Sequence, residues 1–181
     1  MIGVYDFCGH YEWTFNWMEK HYGKEYLYGY YDKCIHQDAQ THAKKLIVEK
    51  GFEGMHEYWG HTLVDEGADY TTREGEDYYR IDMHDCPSKG FLIRNGLEQH
   101  RDYCDHCMGW IGPLMEDAGF FIDHEHNHKG QCWWVFHRKD EEIPSVAIES
   151  DENDVKAKAN WNTDETPIDS FFHVNRVSDK T

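Results

Sequence analysis

The stretch GFFIDHEH (residues 119–126), with NHKG (127–130) and QCWWVFH (131–137) after it, decides the fold of this chain. Two extended, aromatic-rich runs flank a polar turn that contains glycine, a pattern that predicts a β-hairpin. In the second run Trp134 and Phe136 alternate with Trp133 and Val135, so both faces of that strand carry bulky side chains. One face can pack on helices, and the other then has to meet a cavity, the C-terminal region or another subunit.

A further strand is predicted at 79–86, where apolar and polar side chains alternate with the two-residue period of a β-strand. The apolar positions are Tyr79, Ile81 and Met83, and the polar positions are Arg80, Asp82 and His84. The polar side chains face either solvent or the wall of a ligand site. Because proline lacks a backbone N–H, Pro87 ends the strand.

Four helices are predicted from apolar residues at helical spacing. They cover residues 11–22, 38–50, 55–66 and 97–118, and a glycine follows each of the last three. The inner stripe of the fourth helix consists of Leu97, Cys104, Cys107, Ile111 and Met115. We expect Gly112 and Pro113 to kink or break this helix, because proline removes a backbone donor and crowds the preceding turn.

These elements indicate the α+β class, with N-terminal helices packed on a small antiparallel β-sheet that includes the C-terminal hairpin. A length of 181 residues suits one domain with its own core, which we place at 1–139. Residues 140–181 form an acidic C-terminal extension with eleven acidic and four basic residues. Its apolar anchors, among them Trp161 and Phe171, are not needed by a purely solvated tail, so we predict an extension that is partly ordered and wraps over the domain.

The net charge of −17, from 35 acidic and 18 basic residues, repels phosphate backbones and anionic lipid heads. We therefore expect no nucleic-acid partner and no membrane partner. The N-terminus has no basic start followed by an apolar run, which argues against an export signal. Six cysteines in a chain of this size are expected to be thiols in a reducing compartment, which predicts a cytoplasmic protein.

The densest group of reactive side chains lies in IDMHDCPSKG (81–90) and HRDYCDHCMGW (100–110). On a helix His100, Cys104 and Cys107 fall at i, i+4 and i+7 and share one face, which the strand end at His84 and Cys86 can meet. These five residues are suitable ligands for Zn²⁺ or another transition metal. Alternatively, no cofactor is bound and a thiolate works with a nearby histidine. A third alternative is packing alone, since free cysteine behaves as a small apolar residue.

A second histidine group consists of His124, His126 and His128. On a strand the first two share a face and can chelate a metal. His128 falls in the predicted turn, however, so we interpret the group as the polar tip of the hairpin.

Several short motifs follow one another in a recognisable order. A strand runs into Cys86-Pro87, Gly96 follows, a helix bearing Cys104 ends in Gly119-Phe120, and a hairpin closes on Gly130-Gln131-Cys132. This order resembles the L-2-amino-thiazoline-4-carboxylate hydrolase family over residues 77–138, and the N-terminal helices resemble it by architecture only. The chain departs from the pattern in its second helical cysteine, Cys107, its histidine-rich hairpin and its long acidic extension.

The resemblance implies a hydrolase that opens a small cyclic C–N, C=N or amide-like bond in a heterocyclic or related carboxylate. We assign the site as follows: Cys86 or Cys104 as nucleophile, His106 or His84 as acid and base, Arg80 or Arg101 on the carboxylate, and Trp134 as a further substrate contact. A metal-activated water is the alternative to the thiolate. The chain also resembles the 4-vinyl reductase type of small-molecule sensor, which would bind without catalysis. A third alternative is a purely structural partner protein that uses the exposed aromatic face of this strand. The chain could also form a homo-oligomer.

Overall fold

The computed structural model describes residues 4–127, 129–138 and 154–155. The first part of the chain contains α1 (Val4–Tyr22), α2 (Lys24–Tyr30), a π-helix (Tyr31–Ala39), α3 (Thr41–Lys50) and α4 (Phe52–Asp65). The second part contains β1 (Asp69–Glu74), β2 (Tyr78–Asp85), α5 (Lys89–Arg94), α6 (Asp105–Ala118), β3 (Phe120–His126) and β4 (Cys132–Arg138). The predicted α+β class is confirmed.

The four strands form one antiparallel sheet in the order β1-β2-β4-β3. The predicted hairpin is confirmed, since β3 and β4 pair with His126 opposite Cys132 and Ile122 opposite Phe136. β4 also pairs with β2, which places the aromatic run inside the sheet rather than at its edge. Side chains from Trp133 to His137 are buried on both faces of β4, which accounts for the bulky residues at successive positions.

The helices pack on one face of the sheet, which we call the inner face. Ile81, Met83, Trp134 and Phe136 alternate toward it and belong to the main apolar core. Trp59 of α4 stacks on Phe136, with ring centroids 4.9 Å apart and an interplanar angle of 20°. Helix α6 packs on β3 and on the π-helix. The core therefore lies between a helical layer and the inner face.

Residues 154–155 cover part of the opposite, outer face of the sheet. Val155 is fully buried against Trp133 and Val135, and its N–H donates a hydrogen bond to Asp82 Oδ1 at 2.9 Å. Arg80 makes two hydrogen bonds to the Asp82 carboxylate, at 2.6 and 2.8 Å. The second aromatic face thus meets a piece of the extension. The remaining residues of 140–181 lie outside the described ranges, so the domain boundary and the course of the extension stay predictions.

The helix predicted at 97–118 begins only at Asp105. Residues 101–104 form turns instead. A tertiary contact favours these turns, because a lysine of α2 pairs with the Asp102 carboxylate at 2.7 Å. The prediction that His100, Cys104 and Cys107 share one helical face is therefore wrong, since only Cys107 lies inside α6.

Pro113 does not end α6, contrary to the expected break, because the helix runs without interruption from Asp105 to Ala118. Leu114 and Met115, which follow the proline, are fully buried. Their burial stabilises the last turns and offsets the one backbone hydrogen bond that proline cannot make.

The other three predicted helices are present, with α1 and α4 starting earlier than predicted and α3 starting later. The elements that were not predicted are α2, the π-helix, β1 and α5. Three of them are only six or seven residues long, too short for a clear apolar period. Among the helices that the structure describes, none is long and apolar enough to cross a membrane.

Candidate functional site

A cavity of about 340 Å³ lies between the inner face of the sheet and helices α1, α4 and α6. Its size and its mainly apolar walls are typical of small-molecule sites. The aromatic side chains that line it are Phe7, Tyr11, Tyr58, Trp59, Trp110 and Trp134. The thiols that line it are those of Cys8, Cys86, Cys107 and Cys132. We call this space the thiol cavity.

Cys86 lies where β2 ends, and a short turn leads from it to α5. Its Sγ accepts a hydrogen bond from the Lys89 N–H at 3.4 Å, and its own N–H donates to the Gly130 carbonyl at 2.8 Å. Gly130 has φ of 84°, and a Cβ there would come within 3.0 Å of a backbone nitrogen of α5, so this close approach requires glycine. The segments at 86–87 and 130–132, which carry the family resemblance, are thus adjacent in space.

His106 and Cys107, at the start of α6, form a thiol–imidazole pair. His106 Nδ1 contacts the Tyr103 carbonyl oxygen. Because a carbonyl only accepts, this nitrogen carries the ring proton and Nε2 is the acceptor. Nε2 lies 3.5 Å from Cys107 Sγ, within reach of the thiol proton.

Burial sets the charge states of this pair. Burial lowers the pKa of His106 to about 4 and raises the pKa of Cys107 well above its usual value. At pH 7 the pair is therefore a neutral thiol beside a neutral imidazole, not a thiolate beside an imidazolium.

The remaining cavity thiols are also favoured in their protonated forms. Burial raises the pKa of Cys8 and, against the opposing effect of three backbone N–H groups, the pKa of Cys86. Burial raises the pKa of Cys132 well above its usual value, and Trp134 Nε1 donates to Cys132 Sγ at 3.0 Å. The walls of the cavity are therefore polarisable but largely uncharged.

Glu66 is the one carboxylate among the described residues that line the cavity, and neither Lys nor Arg is among them. It directly follows α4 and is half-buried. Burial and, secondly, the neighbouring Asp65 raise the pKa of Glu66. Within the described ranges no side chain forms a hydrogen bond or an ion pair with this carboxylate.

No family model, curated protein or solved structure matches this chain. The resemblance to the thiazoline carboxylate hydrolases therefore rests on the short motifs alone and stays a prediction.

The structure brings Cys86, His106 and Trp134 of the predicted site to the thiol cavity, together with Cys107. Cys104 does not line it, although it is near enough to Cys86 and Cys107 for their charges to affect one another. Burial raises the pKa of Cys104 to about 12. Of the predicted nucleophiles, only Cys86 therefore faces space that a ligand can fill.

The five predicted metal ligands are not gathered at one point. His84 Nε2 lies 3.1 Å from Thr71 Oγ1, and His100 contacts Glu19 of α1. In residues 4–127, 129–138 and 154–155, no group of three or more His, Cys, Asp or Glu side chains could hold a metal ion. A bound Zn²⁺ or other transition metal stays a prediction, and elemental analysis of protein purified without added metal tests it.

The two arginines predicted to hold a carboxylate lie away from the cavity. Arg80 is buried on the outer face and bonded to Asp82. Arg101 is exposed, and its Nε donates to Asp102 at 3.2 Å. Neither side chain is in place to neutralise an anion bound among the cavity thiols.

His124 and His126 are buried, with exposure of only 1% each, so their interpretation as a polar hairpin tip is wrong. His124 Nδ1 lies 2.9 Å from the Trp133 carbonyl oxygen, and His124 Nε2 lies 2.9 Å from His126 Nδ1. His126 Nε2 in turn is 3.9 Å from Asp105 at the first residue of α6. The start of α6 covers this end of β3, which the local sequence pattern does not show. His128 lies outside the described residues.

Sequence reasoning missed several lining residues, notably Cys8, Tyr58 and Glu66. They come from α1, from the middle of α4 and from the residue that follows α4, far in sequence from the cysteine motifs. The apolar period of a helix indicates which side is buried but not whether that side meets a neighbour or a cavity. No local signal in the chain would have identified them.

Proposed function

We propose that this protein binds a small, mainly apolar molecule in the thiol cavity. The observation that carries the proposal is the cavity itself, about 340 Å³ of space walled by aromatic rings and thiols. Protein cores are normally close-packed, and an unfilled space of this size lowers stability. Flat aromatic walls also favour a ligand that can stack against them.

The charge states of the walls support binding more than hydrolysis of a carboxylate substrate. The imidazole of His106 and the cavity thiols are favoured in their neutral forms at pH 7. A carboxylate would lose its water shell there without a cation to pair with, because no described Lys or Arg lines the cavity. A sensor-like or carrier-like role therefore agrees best with the site.

Two neighbouring substitutions on α4 test this proposal. Leu63 is buried and lines the cavity, whereas Val64 is 62% exposed. We expect the neutral fluorophore 1-aminoanthracene to gain emission with the wild-type protein and with Val64→Trp, but not with Leu63→Trp, whose indole fills the cavity. Circular dichroism confirms that both variants are folded. Equal binding by both variants, or none by the wild type, would contradict the proposal.

A hydrolase is the second candidate, and the Cys107–His106 pair is the observation that favours it. In this reaction Cys107 Sγ bonds to the electrophilic carbon while His106 Nε2 takes the thiol proton. The proton then passes to the ring nitrogen as the C–N bond breaks. Water adds to the sulfur-bound carbon, the C–S bond breaks, and sulfur regains a proton.

Turnover of 2-amino-thiazoline-4-carboxylate and of uncharged 2-amino-thiazoline tests the hydrolase. We expect Cys107→Ser to lower the rate by about 100-fold or more, and Cys104→Ser to retain it, because Cys107 lines the cavity and Cys104 does not. Cys86→Ser shows whether the other motif cysteine takes part. Full activity of Cys107→Ser would exclude the mechanism, and no turnover by the wild type would leave binding alone.

A further inference from the structure

The polar groups of the thiol cavity restrict which kind of ligand it can hold. Among the described lining residues Glu66 is the only acidic one, neither Lys nor Arg is present, and the lining histidine, His106, is neutral. A ligand that enters therefore meets one carboxylate and otherwise neutral walls.

Two aromatic side chains of α4 line the same cavity as this carboxylate. Tyr58 and Trp59 of α4 precede Glu66 by about two helical turns, roughly 11 Å along the helix axis, and all three residues line the cavity. Such rings contact the apolar body of a ligand and favour a flat or aromatic one. A carboxylate at one place in a cavity and aromatic rings at another together suit a molecule with a cationic nitrogen and an apolar body.

Among the described residues, no cationic side chain supplies a counter-charge for the Glu66 carboxylate. Within the described part of the chain no side chain pairs with it, and burial raises its pKa. A cationic ligand would supply the missing counter-charge and favour the ionised form. The net charge of −17 adds a long-range field that attracts cations and repels anions.

We propose that the ligand of the thiol cavity is a small amine or amidine with an apolar body, whose cationic nitrogen pairs with Glu66 while the apolar body contacts the aromatic walls at Tyr58 and Trp59. This rests on the proposed binding function and names its ligand class. It differs from the expectation drawn from the family resemblance, in which the bound molecule carries a carboxylate held by arginine.

Three probes of similar size and shape but different charge test the inference. They are 2-phenylethylamine, 2-phenylethanol and 3-phenylpropanoate, each used to displace 1-aminoanthracene from the full-length protein. We expect the amine to displace the fluorophore at about tenfold lower concentration than the alcohol, and the carboxylate to be the weakest. Glu66→Gln should abolish the preference for the amine. Asp65→Asn is the matched control, because it removes an exposed carboxylate next to Glu66 that does not line the cavity.

The outcomes separate this inference from the function on which it rests. If the alcohol binds as well as the amine, or if Glu66→Gln keeps the preference, the amine assignment is wrong while small-molecule binding stands. If the fluorophore and all three probes fail to bind to the wild-type protein, both proposals fail. Loss of the preference in Asp65→Asn as well as in Glu66→Gln would show a general charge effect and would also overturn the assignment.

Discussion

At the scale of single residues, burial determines the chemistry of the thiol cavity. His106 is only 8% exposed and donates its Nδ1 proton to a backbone carbonyl, which leaves Nε2 as an acceptor toward the Cys107 thiol. The same burial keeps the thiols protonated. Neutral donors and acceptors can hold a ligand by hydrogen bonds and contact, whereas a catalytic thiolate would need a charged partner that the described lining lacks.

The lowered pKa of His106 predicts a specific pH dependence of stability. An unperturbed histidine has a pKa of about 6.5, whereas His106 in the folded protein has a pKa of about 4. As the pH falls below about 6.5, the unfolded chain takes up the proton first, so the free energy of unfolding decreases by up to about 1.4 kcal/mol per pH unit until the pH reaches about 4. Above pH 6.5 this contribution does not change.

Urea unfolding of the wild type and of His106→Gln between pH 4 and pH 8 measures this contribution. We expect the wild type to lose stability more steeply below pH 6.5 than His106→Gln, whose amide does not titrate. His61→Gln, a change at an exposed histidine of α4, is the control and should follow the wild type. Parallel curves for the wild type and His106→Gln would show that His106 is not buried as a neutral ring.

Single residues of the site were predictable where reactive side chains are close in sequence. Cys86, His106 and Cys107 were selected from two short stretches, and they do line one cavity. Cys8 and Glu66 were not selected, because tertiary packing alone brings α1 and the end of α4 to the same place. The roles expected for Arg80, in β2, and for Arg101, in the turns before α6, fail to match the structure for the same reason, since the local sequence does not show which side chains tertiary packing brings to the cavity.

At the scale of elements, the apolar period of the sequence predicted regular strands and helices. It did not predict features that depend on contacts with neighbouring elements. The alternation at 79–86 and the hairpin at 120–137 are strands in the structure. Helix α6 begins later than predicted because a contact to Asp102 favours turns before it. The packing of α6 on the π-helix also depends on one small residue, because a Cβ at Gly109 would lie 2.5 Å from Tyr31 Cβ.

Two glycine-to-alanine changes should therefore have opposite effects. Gly60→Ala, in α4, places a methyl group where nothing lies within 4 Å, and the better helix propensity of alanine should stabilise the protein by about 0.5 to 1 kcal/mol. Gly109→Ala gains the same propensity but pushes α6 away from the π-helix, and we expect a net loss of about 1 to 3 kcal/mol. Urea unfolding measures both. Stabilisation by Gly109→Ala would contradict this close helix contact.

At the scale of the whole molecule, the sheet is covered on both sides by different parts of the chain. The helices cover the inner face, and residues 154–155 cover part of the outer face. Asp154 contacts Arg73, and one of its oxygens lies 3.7 Å from Arg80. The sequence indicated that the second aromatic face of β4 needs a cover, but it left the C-terminal region, a ligand and another subunit as alternatives. Only the three-dimensional contacts distinguish them.

Because the Val155 side chain is buried, we expect the packing of residues 154–155 on the outer face to contribute to the free energy of unfolding. Val155→Asp would place a third carboxylate beside Asp82 and Asp154 in a site with almost no water, and we expect a loss of about 3 kcal/mol in the free energy of unfolding. Val48→Asp, at a position that is 50% exposed on α3, is the matched control and should cost less than about 1 kcal/mol. Urea unfolding, followed by tryptophan emission because Trp133 packs against Val155, measures both changes. Equal midpoints for the two variants would mean that Val155 does not seal the outer face in solution.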